Sequence, residues 1–378
     1  MRAATEEVAR VEAGAVHGFT GAAPGTAAPA GRGGPEAGRG GTETGRGGTE
    51  AAPGFAEAEL GFARTVDRAL VHRAAVSEVF LTDVRAIGER RVLAAAQLPL
   101  SHAYYNDHVQ LPARHDPLLL LEAARQAAIH GSHTHLGMAA GTAMIVDNFR
   151  LELTDSAALL IGDRPGELLI DSRFEGRPTR NGTWRRGSVV QDFHLDGEPV
   201  GRHTMHAAFL RHDSHEALRH AQRGTPAPSS ADCTDSPDTF RIDPEEVGRV
   251  HPLNVLLSHP IRVGNTVSAQ VTPRFGNRSL FDHAYDHLPA MVLTEAAHQL
   301  ALVSLGERAR RASRLVGIEA VFARYAELDE PLTATATPAG DGETFSVAFA
   351  HGDSPVAEIT TTLRTAPAGA ARTLGDAA

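Results

Sequence analysis

Two distant stretches of this chain spell the same helical phrase. Setting LLLLEAARQAA (118-128) against MVLTEAAHQLA (291-301) puts Glu122 on Glu295, Ala123 and Ala124 on Ala296 and Ala297, and Gln126 on Gln299. Both stretches are apolar around most of their circumference, the pattern of a helix enclosed by protein rather than lying on a surface. A chain with two such helices must supply two sets of enclosing layers.

The flanks supply them. In the first helix, 116-131, Asp116 reads as the N-cap, Pro117 fits the first helical position and Gly131 fits the stop; the second runs from about Pro289 to Gly306. Strand-like runs precede each helix: VSEVFLTDVRAIG and RVLAAAQLPL in the first half, VLLSHPIRVGNTVSAQVTP in the second. Four alternating segments with Gly, Asp and Asn turns follow each helix, from MIVDNFRLELT to EPVGRHTMHAAFL and from LVGIEAVFARY to PVAEITTTLRT. A long helix followed by an antiparallel meander, repeated, is an α+β arrangement in which a curled sheet wraps a central helix. The predicted fold is a double hotdog, with domains over residues 65-212 and 241-366, a linker over 213-240 and a flexible tail over 367-378. Residues 1-60 hold three near copies of GRGGTEA in an Ala/Gly-rich leader with too little apolar surface to offset its ordering entropy, and are expected to be disordered.

Composition narrows the function. At 378 residues and 42% hydrophobic content the chain can bury two domains, and its net charge of −10 argues against a nucleic-acid-binding face. Cys233 is the only cysteine, which excludes an intrachain disulfide and suits a reducing cytoplasm. No apolar run approaches the ~18-20 residues of a membrane span. The histidines of HGSHTHLG (His130, His133, His135) have no acidic companion in the cluster, so no metal and no cofactor is expected. Trp184 and the phenylalanines are expected to pack the core.

A carboxylate on an enclosed helix has to be paired, solvated by a pocket or protonated, because burying it alone costs several kcal/mol or more. The plain explanation is an ion pair with an Arg of the neighbouring sheet. The sharper one is an acid-base site, since each Glu follows a loop with an Asp-His pair: His108 lies 14 residues before Glu122, and Asp286-His287 and His283 shortly before Glu295. Gln126 and Gln299, four residues after their carboxylates, can orient them.

The phrase DHVQLPARHDPLLLLEAARQ resembles that of hotdog dehydratases acting on acyl-carrier-protein thioesters, in which a His and a helix Glu serve as acid and base. A resemblance that covers both halves is closer. VHRAAVSEVFLTD, HDPLLLLEAARQA, GRHTMHAAF and FDHAYDHLPAMVLTEAAHQ, in this order, are similar to the A-factor biosynthesis family of hotdog proteins. The resemblance implies transfer of a β-ketoacyl group from an acyl carrier protein to dihydroxyacetone phosphate, toward a γ-butyrolactone, butenolide or furan autoregulator. On that reading Glu122 or Glu295 is the base. Arg125, Arg274 and Arg278 are phosphate candidates by their fork geometry, and Asp286 and His287 shape or titrate the site. Gln126 and Gln299 line it, and the Arg-rich segment 180-187 is a candidate docking patch for the acidic carrier. His298 stands where the family phrase has Arg, which leaves open another acceptor, a protonated His298 in its place, or lost activity. A dehydratase, a thioesterase and a non-catalytic acyl-binding protein are the competing functions. A double hotdog supplies its own paired-domain interface, so a monomer or a homodimer fits.

Overall fold

Alternation of inward and outward side chains marks the strands. In β8 (Thr266–Val271) every second residue is buried, and β4 (Gly166–Glu175) and β5 (Arg186–Leu195) follow the same period. The computed structural model describes residues 60–154, 156–235 and 240–365. The chain divides into two units, Met1–Glu59 and Leu60–Ala378, and every described residue belongs to the second. The predicted leader, Leu60 apart, and the predicted tail lie outside the described residues.

The remaining strands are β1 (Leu81–Gly88), β2 (Arg91–Leu98), β3 (Ala143–Leu153), β6 (Glu198–Leu210), β7 (Leu257–Val263), β9 (Ser313–Phe322), β10 (Thr333–Pro338), β11 (Thr344–His351) and β12 (Ser354–Thr365). Among the described residues these twelve strands join one sheet in the order β1-β2-β4-β5-β6-β3-β9-β12-β11-β10-β8-β7. Read outward from the β3/β9 junction, the two halves have the same order, so the sequence repeat is also a repeat of topology. Antiparallel pairing of β3 with β9, Leu151 opposite Ile318, makes the two sheets one.

Helix α1 (Pro117–Thr134) packs on β1, β2 and β4, and the second-half helix Ala290–Ser304 packs on β7, β8, β10, β11 and β12. Small residues allow this: Ala123, Ala124 and Ala127 of α1 and Ala296, Ala297 and Ala301 of its counterpart have no exposed surface. Asp116 caps α1 by accepting from Leu118 N at 2.9 Å. The helix runs past Gly131, the predicted stop. A Cβ there would stand 2.6 Å from Phe174 of β4, so the glycine serves close approach to the sheet rather than termination. The predicted linker contains helix α2 (His212–Arg223), closed by Gly224 in the left-handed conformation; the Ala290–Ser304 helix is therefore α3. Trp184 does not reach the core. It packs in the β4–β5 hairpin against Gly176 and Gly187, with the Arg90 guanidinium 5.6 Å from its ring centre.

One buried row crosses the junction: Ser172, Gln191, His203, Leu151, Ile318, Thr361 and Phe345, each opposite the next. Gln191 Nε2 donates to Ala124 O of α1 and to Ser172 Oγ, both at 3.0 Å, which turns its oxygen toward His203 Nδ1 at 2.7 Å. His203 therefore carries its proton on Nδ1, and burial pushes its pKa from 6.5 down to about 3. An unfolded His binds a proton near pH 6.5 and folded His203 does not until about 3, so stability falls as pH drops through that window. Urea midpoints at pH 7.5 and pH 5 should lie closer together for His203→Gln than for the parent; equal separations would remove His203 as a cause of acid sensitivity.

Candidate active site

Each central carboxylate sits in a frame built before its own half's first strand. Arg73 places Nη2 at 2.6 Å and Nε at 3.1 Å from Glu122 Oε1. Arg249 places Nε and Nη2 both at 2.8 Å from Glu295 Oε1. The same oxygen accepts from Gln126 Nε2 in one half and Gln299 Nε2 in the other, at 2.7 Å each. Those glutamines are locked in turn: Gln126 between Phe80 N and Glu78 O, Gln299 between Leu256 N and Asn254 O. Arg249 follows Gly248, at φ +76°, where a Cβ would meet Leu302 at 2.7 Å. His72, before Arg73, holds the same left-handed turn at φ 52°.

Burial would raise both carboxyl pKa values, yet the attached cations win and hold Glu122 and Glu295 down at about 2. Both are ionised at neutral pH and poor proton acceptors. The ion-pair explanation thus describes both helices, with one difference: the arginines come from the segment ahead of β1 and β7, not from the sheet.

The halves differ at one position. Arg125 donates to both oxygens of Glu122, Nε to Oε2 at 2.9 Å and Nη2 to Oε1 at 3.0 Å. His298 replaces it in the second half, its Nδ1 3.7 Å from Glu295 Oε2, beyond hydrogen-bond reach. Glu295 Oε2 and His298 Nδ1 are both buried without a hydrogen bond.

The loops cross between halves. Asp107 accepts from Val250 N and His251 N at 3.1 Å, beside Arg249. Asp282 accepts from Ala74 N at 2.5 Å and Ala75 N at 2.9 Å, beside Arg73. His108 consequently faces the second half's charges, Arg249, Glu295 and His298, and not Glu122, with which its spacing had paired it. His108 Nε2 lies 2.8 Å from Tyr105 O, which can only accept, so Nε2 carries the proton and Nδ1 the lone pair. Burial lowers its pKa below 6.5 against the pull of Asp116, 3.6 Å away. His108 and His298 line a small cleft open to solvent, together with Asp116, Arg114 and Arg314.

Other predicted residues go elsewhere. Asp286 accepts from Arg219 Nε of α2 at 2.7 Å and holds His287 Nδ1 at 2.6 Å, while His287 packs edge-on against Tyr325. Asp286 binds the linker helix and His287 binds Asp286, and among the described residues neither pairs with Glu122 or Glu295. Arg274 pairs with Asp235 at 3.4 Å and Arg278 reaches Phe281 O. His133 meets His72 Nε2 to Nε2 at 2.7 Å, apart from His130, which bonds Thr134. In segment 180-187, Trp184 and Gly187 lie against Gly176 and Glu175 at the end of β4, and no residue of the segment lines the cleft. Arg73 and Arg249 were missed, though extending the repeat backward finds them: each stands seven residues before the residue whose N–H the glutamine accepts.

Removing Glu122 alone leaves Arg73 and Arg125 facing each other without their anion. Glu122→Leu should lower unfolding free energy by about 3-5 kcal/mol, and Glu122→Leu with Arg73→Met by clearly less. Urea denaturation of both checks this; equal losses would mean that packing, not uncompensated charge, sets the cost.

The A-factor biosynthesis hotdog domain matches residues 56–211 and again 231–367, well over half of the chain. A 2-oxo-3-(phosphooxy)propyl 3-oxoalkanoate synthase of Streptomyces virginiae is 31% identical over 293 residues, 72% of this chain and 87% of that protein. One of the same name from Streptomyces coelicolor is 29% identical, over 73% of this chain and 82% of that protein. Among solved structures, the dehydratase domain from the CurF module of curacin polyketide synthase superposes with a TM-score of 0.45 at 12% identity, over 76% of this chain and 96% of that one. With both halves matched, this chain belongs to the A-factor biosynthesis hotdog family.

Proposed function

We propose that this chain transfers a β-ketoacyl group from an acyl-carrier-protein thioester to a hydroxyl of dihydroxyacetone phosphate, the first committed step toward a γ-butyrolactone, butenolide or furan signalling molecule. The name of its relatives describes that ester, a 3-oxo acid joined to the phosphorylated triose. The observation that carries the reading at the level of residues is the 2.8 Å contact of His108 Nε2 with Tyr105 O, which assigns the tautomer. Its Nε2 proton is committed to Tyr105 O, so Nδ1 offers a lone pair in a cleft shared with His298.

His108 Nδ1 takes the proton of the attacking hydroxyl as its oxygen bonds the thioester carbon. The C–S bond then breaks, and the carrier thiolate receives that proton. Glu295, ionised, faces His298 Nδ1 and so favours the proton on that nitrogen, leaving Nε2 to hydrogen-bond the substrate. Glu295 acts through His298 and Arg249 as a positioning residue. Glu122, with both oxygens bonded to cations, serves the frame of the first half.

Mass spectrometry of the protein with a medium-chain β-ketoacyl thioester should show a phosphorylated ester only when the triose is present. His108→Asn should slow it by about 10²- to 10⁴-fold, the usual worth of a positioned base. Free acid, a dehydrated product from a 3-hydroxyacyl thioester, or binding without turnover would overturn the reading in favour of a thioesterase, a dehydratase or a binding protein.

The base must be neutral, and its pKa is lowered, so the acid limb of kcat/KM should be centred below pH 6.5. An acid limb centred above 6.5 would exclude His108.

A further inference from the structure

The cleft contains two arginines that the acid-base reading does not use. Arg114 comes from the loop that carries His108, and Arg314 from the start of β9 in the other half. Arg314 donates Nη1 to the carbonyls of Arg311 and Ser313, at 3.1 and 2.9 Å, and Nη2 to Leu111 O at 2.6 Å. Its Nε is buried without a hydrogen bond, and among the described residues no carboxylate forms an ion pair with it. Burial and the neighbouring charge of Arg114 both lower its proton affinity. Arg114, which donates Nη1 to Ser156 O, and Arg314 thus line one cleft from different halves, and their like charges repel more strongly there than in water. An anion between them would relieve that repulsion, and the planar forks suit a phosphate.

We propose that Arg114 and Arg314 form a phosphate subsite of the cleft that takes the phosphate monoester of the acceptor. The assignment rests on the transfer reading above and makes the pair the selector for a phosphorylated over an unphosphorylated triose. A phosphodiester, such as that of a carrier's prosthetic arm, offers similar oxygens with one charge fewer.

Two measurements on the full chain test it. In calorimetric titrations without thioester, Arg114→Ala and Arg314→Ala should each weaken dihydroxyacetone phosphate at least tenfold, and inorganic phosphate in parallel. In steady state with an N-acetylcysteamine β-ketoacyl thioester, which carries no phosphate, KM for the triose phosphate should rise at least tenfold with KM for the thioester unchanged. The preference over dihydroxyacetone should shrink by the same factor. Arg314→Gln, which keeps donors for the carbonyls but not the charge, replaces Arg314→Ala if that variant melts early. Unchanged triose-phosphate affinity in the variants of a parent that does turn over overturns the subsite alone. A rise in KM for carrier-bound substrate instead assigns the pair to the phosphodiester and overturns the acceptor assignment. A parent that binds the triose phosphate, loses it on substitution and makes no ester keeps the subsite and defeats the transfer reading.

Discussion

An arginine reaching back onto a helix carboxylate is the contact around which each half of this protein is organised. Without Arg73 and Arg249, Glu122 and Glu295 would lie ionised in a place water does not enter, and an uncompensated buried charge costs several kcal/mol. The pairing fixes more than charge. It ties the segment before the first strand to the middle of the central helix, and the glutamine one turn on fastens that helix to the strand entrance. Left-handed backbone at His72 and Gly248 turns the chain so that each arginine can enter.

Once those frames are set, the loops decide where chemistry can occur. Each Asp-His loop docks on the arginine segment of the opposite half through a carboxylate that accepts two successive backbone N–H groups. The cleft is thereby shared: His108, Asp116 and Arg114 come from the first half, His298 and Arg314 from the second. The β3/β9 pairing that merges the two sheets gives these groups a common rigid support.

The repeat is exact in topology and inexact in chemistry. Arg125 satisfies Glu122, whereas His298 leaves one oxygen of Glu295 unbonded. That one position is therefore what separates the two sites. It puts a second titratable ring at the cleft, opposite in origin to His108, while the first half keeps a closed ion-pair cage.

The helix repeat, strand alternation and Asp116 cap were legible in the sequence because they arise from local periodicity and local hydrogen bonds. So was the Glu-Gln spacing, since one helical turn brings i and i+4 together. Which histidine meets which carboxylate was not. Spacing paired His108 with Glu122 and pointed to Asp286-His287, whereas loop docking across the halves carries His108 to Glu295, and the α2 helix claims Asp286 through Arg219. Gly131 read as a stop because nothing local announces Phe174, and Arg114 and Arg314 stand two hundred positions apart. The sequence by itself determined two enclosed helices, their wrapping strands and a carboxylate on each. Tertiary structure alone decided how those charges are neutralised and which groups share the cleft, because both depend on contacts between segments with no fixed separation along the chain.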